Sequence, residues 1–127
     1  MTGPAAGLWV ALAACAAAAQ PLALPSGLQV EPIEVILDAE MHLARFRFLA
    51  PAIAARGFDM ESLGPDFDWL CAQVAAPGLR AERPDWDEVV ISLSSAVIPF
   101  GTADPEVAQA FEGYRIDSDG GCIWLQF

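Results

Sequence analysis

The order of apolar and polar residues predicts a β-hairpin early in the chain. Residues 28–37 alternate in part between apolar and polar side chains, and residues 43–49 alternate more clearly, with two phenylalanines opposite Arg45 and Arg47. The segment that joins them, residues 38–42, is short and polar. Two alternating strands with such a connection indicate an antiparallel hairpin with one buried face.

A helix is predicted next, because apolar residues recur at steps of three and four. Pro65 suits the first turn of a helix, and the pair Pro77-Gly78 favours its end. We therefore expect a helix from Pro65 to Ala76. The apolar stripe that indicates it comprises Met60, Leu63, Phe67, Leu70, Cys71 and Val74.

The second half of the chain predicts a strand, a short helix and a final hairpin. Residues 88–93 alternate again, and Asp104-Pro105 is typical of a helix start, so a second helix is expected to end near Glu112. Residues 114–127 predict a hairpin that turns at Asp119-Gly120. The order ββαβαββ predicts an α+β domain, with an antiparallel sheet and two helices packed on one face.

The first nineteen residues predict export. Residues 7–19 form an uncharged apolar run that is too short to span a bilayer, and its closing alanines suit a signal-peptidase site. We expect residues 1–19 to be a signal peptide and residues 20–127 to form one domain. The stretch Leu12-Ala13-Ala14-Cys15 also matches a lipobox, in which Cys15 would be lipidated and attach the protein to a membrane. A retained segment is the third alternative. Each outcome places the domain outside the cytoplasm, periplasmic or secreted.

Cysteine usage agrees with an exported domain. The chain has three cysteines, and either cleavage or lipidation removes Cys15 from the set of free thiols. Cys71 and Cys122 then remain as a pair in an oxidising compartment, where disulfides form and persist. We predict a structural disulfide between them, which closes a loop of about fifty residues and stabilises the fold by roughly 4 kcal/mol.

Charge excludes several classes of partner. The net charge is −11, from 17 acidic and 6 basic residues, and all of the basic residues are arginines. Nucleic-acid binding needs clustered cations, so it is not expected, and electrostatic docking on anionic lipid is disfavoured for the same reason. Because the chain has no lysine, it has no Schiff-base nucleophile and no Walker-type phosphate loop. An acidic surface does favour basic partners.

The sequence supplies little for catalysis. His42 is the only histidine and falls in a predicted turn, and no G-x-S-x-G motif accompanies it. Ser92, Ser94 and Ser95 are interpreted as solvent-side strand and turn residues. A zinc site needs three or four His or Cys ligands, which the chain does not supply. We therefore predict no catalytic residue and no cofactor.

Two acidic stretches are the candidate binding sites. Asp85 and Asp87 flank Trp86, which we expect to be exposed and to anchor an interaction. The same carboxylates could instead act as an acid and base pair. Asp117 and Asp119 resemble the opening of a calcium loop but lack its third acidic position and closing glutamate. We interpret them as a hairpin turn, so the metal prediction is none, with a weak calcium site as the alternative.

Several short stretches of the chain are distinctive: Arg45-Phe46-Arg47-Phe48, Cys71, Pro99-Phe100-Gly101, Tyr114-Arg115 and Cys122-Ile123-Trp124. In these stretches the chain resembles a family of small exported alphaproteobacterial proteins that has no established function. The resemblance covers about Leu22 to Phe127 and implies a signal peptide followed by one domain. Some relatives carry an acetolactate synthase label, but the Gly-Asp-Gly motif of that thiamine-diphosphate chemistry does not occur here.

Three functional hypotheses follow from the sequence. The first is a non-catalytic exported domain that binds another envelope protein. The second is a module that binds a small molecule or a cation such as calcium. The third is an envelope hydrolase of an unfamiliar type. A calcium-dependent shift in melting would favour the second hypothesis over the first. The third requires a pocket with converging carboxylates or His42.

Overall fold

Six strands form one sheet whose spatial order follows the chain, β1-β2-β3-β4-β5-β6, in a computed structural model that describes residues 20–126. The only parallel pair in this sheet is β3 and β4, which are joined by a helix, and the other neighbours are antiparallel. The strands are β1 (Leu22–Ala23), β2 (Gln29–Asp38), β3 (Leu43–Leu49), β4 (Glu88–Ser94), β5 (Gln109–Ile116) and β6 (Cys122–Leu125).

The α+β class is confirmed, but the prediction of a purely antiparallel sheet is wrong. The alternating patterns fixed which residues of β3 and β4 share a face, and alternation is the same in parallel and antiparallel strands. The direction of β4 depends on the connection, because a helix packed on the sheet returns the chain to the end where β3 began.

One helix of 23 residues occurs in the described part of the chain, where two were predicted. This helix, α1, spans residues 60–82. It opens with a 3-10 turn at Met60–Leu63, continues as α-helix over Gly64–Leu70, widens into a π-turn at Cys71–Ala75 and ends as α-helix over Ala76–Glu82.

The predicted end of this helix at Ala76 is wrong, because Pro77-Gly78 lies within it. A proline inside an α-helix lacks one N–H donor, and its ring clashes with the carbonyl four residues earlier. The π-turn directly precedes Pro77, and its last bond runs from the N–H of Ala76 to the carbonyl of Cys71. A wide turn of this kind changes the hydrogen-bond register where the proline enters, so the helix continues.

The predicted second helix at residues 104–112 is also not formed. Asp104 begins a turn, in which its Oδ1 accepts the N–H of Glu106 at 2.9 Å and its carbonyl accepts the N–H of Val107 at 3.0 Å. From Gln109 onward the chain is strand β5, which pairs with β4 along its whole length. The cap signal was real, but sheet pairing outweighs the local preference for helix in the residues that follow.

The hydrophobic core lies between α1 and one face of the sheet. It is built from buried residues of the helix, such as Leu70 and Leu79, and from the inward positions of β3 and β4. Helix and sheet approach closely at Gly78, where an added Cβ would lie 3.1 Å from Cε1 of Phe46. The sheet positions that contribute most are Ala44, Phe46, Phe48, Val89, Ile91, Leu93 and Tyr114.

Two long-range links tie the helix to the rest of the domain. The predicted disulfide between Cys71 and Cys122 is confirmed and joins α1 to the start of β6 across a sequence separation of 51 residues. The fully buried carboxylate of Asp66 accepts hydrogen bonds from the backbone N–H of Ser26 at 3.0 Å and from its hydroxyl at 2.5 Å. These bonds hold the segment between β1 and β2 against the first turn of the helix.

Candidate ligand-binding groove

A long loop, residues 95–108, crosses the sheet face that lies opposite α1. Between this loop and the outward side chains of β3, β4 and β5 lies a groove of about 670 Å³. The volume falls within the range of small-molecule pockets in proteins. The groove is lined on the sheet side by Arg45, Arg47, Val90, Ser92, Ser94, Gln109 and Phe111, and on the loop side by Ile98 to Pro105 and Val107.

The loop is fastened where it leaves and re-enters the sheet. The N–H of Ser95 donates to the carbonyl of Ala108, and the N–H of Ala108 donates to Ser95 Oγ, both at 2.9 Å. Within the loop, the N–H of Thr102 bonds the carbonyl of Pro99 at 3.1 Å across a turn that needs a positive φ at Gly101. Compact surface loops with closed ends are frequently functional.

Arg47 connects three parts of the groove. One guanidinium nitrogen donates to the carboxylate of Glu34 on β2, and the other donates to the carbonyl of Ile98 in the loop at 2.6 Å. The Arg47 side chain is only 9% exposed, and its charge is matched by Glu34, whose side chain is 45% exposed. Arg47 therefore holds the loop to the sheet.

Arg45 differs from Arg47 in having no hydrogen bond within residues 20–126. Its nearest carboxylate, Asp38, lies 4.0 Å away, at the limit of an ion pair, and its side chain is 25% exposed. The guanidinium carbon lies 5.2 Å from the ring centre of Phe100, so the group stacks on an aromatic face. Its N–H donors remain available to a ligand in the groove.

The serines of β4 are not solvent-side residues as predicted. Ser92 and Ser94 do point away from the helix, in the direction that the alternation indicated, but they are 6% and 3% exposed. The loop and the neighbouring arginines cover them. A strand pattern identifies the face of a side chain, whereas its burial depends on what the loop places above that face.

The predicted exposure of Trp86 is wrong. Its ring is 9% exposed and belongs to the core cluster. The imidazole of His42 stacks on it at a centroid distance of 5.4 Å and an interplanar angle of 3°, and the guanidinium of Arg83 lies 5.5 Å from the ring centre. Only the flanking Asp85 and Asp87 are exposed. The charge of the neighbouring residues in the sequence does not determine whether a loop side chain points inward or outward.

His42 occupies a turn, as the sequence predicted. It is exposed and has a positive φ of 51°, a backbone conformation that few residues other than glycine adopt readily. Its ring packs on Trp86 rather than beside a hydroxyl, and it does not line the groove.

The two acidic stretches come together at a second, polar depression near the end of α1. Asp85, Asp87 and Asp117 line it together with Arg80. The carboxylate of Asp117 is engaged, because its Oδ1 accepts the backbone N–H groups of Asp119 at 2.9 Å and Gly121 at 2.8 Å. Such bonds are typical of a turn-forming aspartate. Within residues 20–126 no group of three or more His, Cys, Asp or Glu side chains could hold a metal ion.

Tyr114, which is buried, and Asp68, which is exposed, form a link between the sheet and the helix. The hydroxyl of Tyr114 donates to Asp68 Oδ1 at 2.8 Å. Burial raises the pKa of Tyr114 well above its usual range, and the bond to Asp68 and the charges of Asp68 and Glu112 raise it further. Tyr114 therefore stays neutral and acts as a donor rather than a base.

The groove was not predicted from the sequence, although the alternation of residues in β3 did indicate part of its lining. The alternation placed Arg45 and Arg47 together on the face opposite the phenylalanines, and β3 keeps both there. The position of the loop above them could not be derived, because the loop residues carry no periodic pattern. The acidic stretches, by contrast, were predicted as candidate binding sites only because carboxylates are abundant in the sequence.

Comparison with known proteins gives one match. The sequence model of a family of unknown function, DUF6497, matches residues 8–127. The chain belongs to this family. No curated protein and no solved structure matches the chain. The resemblance to a family without an established function is thereby confirmed, and all of the groove residues lie within the part of the chain that the DUF6497 model covers.

Proposed function

We propose that this DUF6497 protein is an exported, non-catalytic binding module whose ligand lies in the groove. The observation that carries the proposal is the groove itself. Its floor consists of side chains on three paired strands, and its upper wall is fastened at both ends and through Arg47. A rigid floor with a few polar groups and an apolar wall is the usual composition of a ligand site.

Export is supported by two features. The Cys71–Cys122 disulfide is compatible with an oxidising compartment. The apolar run at residues 7–19 lies outside the described residues, and its interpretation as a signal peptide stays a prediction. Among residues 20–126 no helix is long and apolar enough to cross a membrane. Mass spectrometry of the mature protein would identify the new N-terminus and any acyl group on Cys15, and an intact cytoplasmic chain would contradict export.

Binding is favoured over hydrolysis by the groups that meet in the groove. Ser92 and Ser94 lie beside arginines, and neither has a histidine within its surroundings because His42 stacks on Trp86. Arginine is always protonated in proteins and does not act as a general base. The arrangement thus supplies donors and apolar surface, which suit recognition.

The proposal can be tested with N-phenyl-1-naphthylamine, an uncharged fluorescent probe. We expect it to bind the oxidised full chain with one site, and we expect Ser92→Phe to abolish binding by filling the groove floor. Thr102→Trp, on the exposed loop wall, serves as a second blocking variant that leaves the core unchanged. The matched control is Val35→Phe, which adds the same ring to a smaller apolar depression on the helix side. Binding that is lost in the control and kept in both groove variants would overturn the assignment.

The free edge of β6 favours a second candidate function, protein interaction. Ile123 and Trp124 are 46% and 52% exposed, and the strand has neither charge nor proline. The opposite edge consists of the two-residue β1 and, beyond it, the uncovered part of β2, which carries Glu31 and Pro32 and a register shift after Pro32. Charges, prolines and bulges are the means by which proteins block pairing at sheet edges, so the β6 edge is the more open to an added strand within residues 20–126.

The partner proposed for this edge is an extended segment that carries basic residues. Asp117 and Asp119 stand in the turn next to β6, and the net charge of −11 disfavours a second copy of the chain. We expect the peptide Lys-Val-Thr-Val-Lys to bind more weakly as salt is raised, and Trp124→Lys to prevent binding while Val35→Lys does not. Sedimentation equilibrium that shows a dimer sensitive to Trp124→Lys would replace this partner with a second copy.

A further inference from the structure

We propose that the groove takes a small amphiphilic ligand, in which one anionic group is bound by Arg45 and an apolar body packs between Phe100 and Phe111. The inference rests on the proposed function and names the ligand class of the same groove. It combines the state of the two arginines, the exposure of the aromatic rings and the charge of the whole chain.

The two arginines have different roles. The two terminal nitrogens of Arg47 donate hydrogen bonds to Glu34 and to the carbonyl of Ile98, so Arg47 is a structural group. The Arg45 side chain has no hydrogen bond within the described residues: Asp38 lies 4.0 Å from one of its nitrogens, and its guanidinium carbon lies 5.2 Å from the ring centre of Phe100. A guanidinium held in this way can donate two parallel hydrogen bonds to a carboxylate, sulfonate or phosphate.

The groove is richer in basic residues than the rest of this acidic protein. Only six basic residues accompany seventeen acidic ones, and two of the six lie side by side on β3 in the groove. The acidic residue in the lining, Asp104, already accepts the N–H of Glu106 within its own turn. An anion that is repelled by the rest of the surface therefore finds free donors here at Arg45.

The apolar part of the ligand is indicated by two aromatic rings. Phe100 and Phe111 are 55% and 56% exposed and both line the groove, one on the loop and one on β5. A half-exposed ring on the floor and another on the loop wall leave apolar surface that a ligand can remove from water. Val90 and Val107 extend this surface between them.

A free molecule is favoured over the headgroup of a bilayer lipid. The groove is bounded by the loop on one side, and the net charge of −11 opposes approach to an anionic membrane surface. The ligand is therefore expected to enter as a single molecule. Vesicles that contain phosphatidylglycerol provide the arm that separates the two sources.

The test compares two probes with the same aromatic body. Anilinonaphthalene sulfonate is N-phenyl-1-naphthylamine with an added sulfonate, so the difference in their dissociation constants isolates the anionic group. For the oxidised full chain we expect the sulfonate to bind about tenfold more tightly, the effect of one charge-assisted contact. Arg45→Gln should remove this difference and leave the uncharged probe unchanged. Arg56→Gln, which alters an exposed arginine elsewhere, is the matched control.

Two further arms keep the test decisive. If Arg45→Gln does not fold, salt is raised on the wild-type chain, where sulfonate binding should weaken and binding of the uncharged probe should not. Decanoate should displace the sulfonate probe at lower concentration than decanol does. Equal affinity for the two probes, or an advantage that survives Arg45→Gln, would overturn this ligand class while leaving the groove as a binding site. Failure of the uncharged probe would overturn the proposed function itself, and cosedimentation with the vesicles would assign the anion to a lipid headgroup.

Discussion

Removal of the Cys71–Cys122 disulfide should destabilise the domain strongly. The bond closes a loop with a sequence separation of 51 residues, and the chain-entropy relation assigns about 4 kcal/mol to a loop of that length. The free energy of unfolding of a small domain is only about 5–15 kcal/mol, so the disulfide would supply a large share of it. The effect arises in the unfolded chain, which becomes more extended when the crosslink is absent.

Urea unfolding of three samples would test this magnitude. They are the oxidised chain, the same chain under reducing conditions, and the double variant Cys71→Ala/Cys122→Ala. Reduction keeps both sulfur atoms in place, so a loss of about 4 kcal/mol in the reduced chain would be a crosslink effect. The free energy of unfolding of the reduced chain should also depend more steeply on urea concentration, because its unfolded state exposes more surface. A loss below about 1 kcal/mol on reduction, with a larger loss in the double variant, would refute the reasoning and assign the effect to core packing.

Three other substitutions test the remaining links. Tyr114→Phe should cost about 1 kcal/mol, the net value of one hydrogen bond, because water can solvate the exposed Asp68 once its donor is removed. Because the pKa of Tyr114 is raised in the folded state, its contribution to stability is complete below about pH 10 and falls at higher pH; unfolding measured against pH should show a smaller alkaline loss in the variant. Asp66→Ala should cost about 2–3 kcal/mol in urea unfolding and speed amide exchange near Ser26, and unchanged exchange would contradict the tether. Arg47→Met should raise proteolysis within residues 95–108 with little change in the sheet, and equal cleavage would show that the loop is held by other contacts.

The sequence by itself determined the parts of this protein that depend on local pattern and on the small number of cysteines. Alternation identified β2, β3 and β4, and it placed Arg45 and Arg47 on the face opposite the phenylalanines. The signature of a turn at Asp119-Gly120 identified the last hairpin. The pairing of Cys71 with Cys122 was predicted on the expectation that Cys15 is not a free thiol of the mature protein, and the structure contains this pair. In each case a short-range steric preference or a simple count decides the outcome.

Tertiary structure decided what no local pattern encodes. A cap signal at Asp104 began only a turn, because pairing with β4 satisfies the backbone of residues 109–116 along a whole strand. Pro77 did not end the helix, because the preceding π-turn changed the bonding register. Trp86 turned inward beneath His42 despite its charged neighbours. The groove exists only because a loop without periodicity is fastened across the open sheet face, and the free energy of that closure comes from contacts between residues that are far apart in sequence.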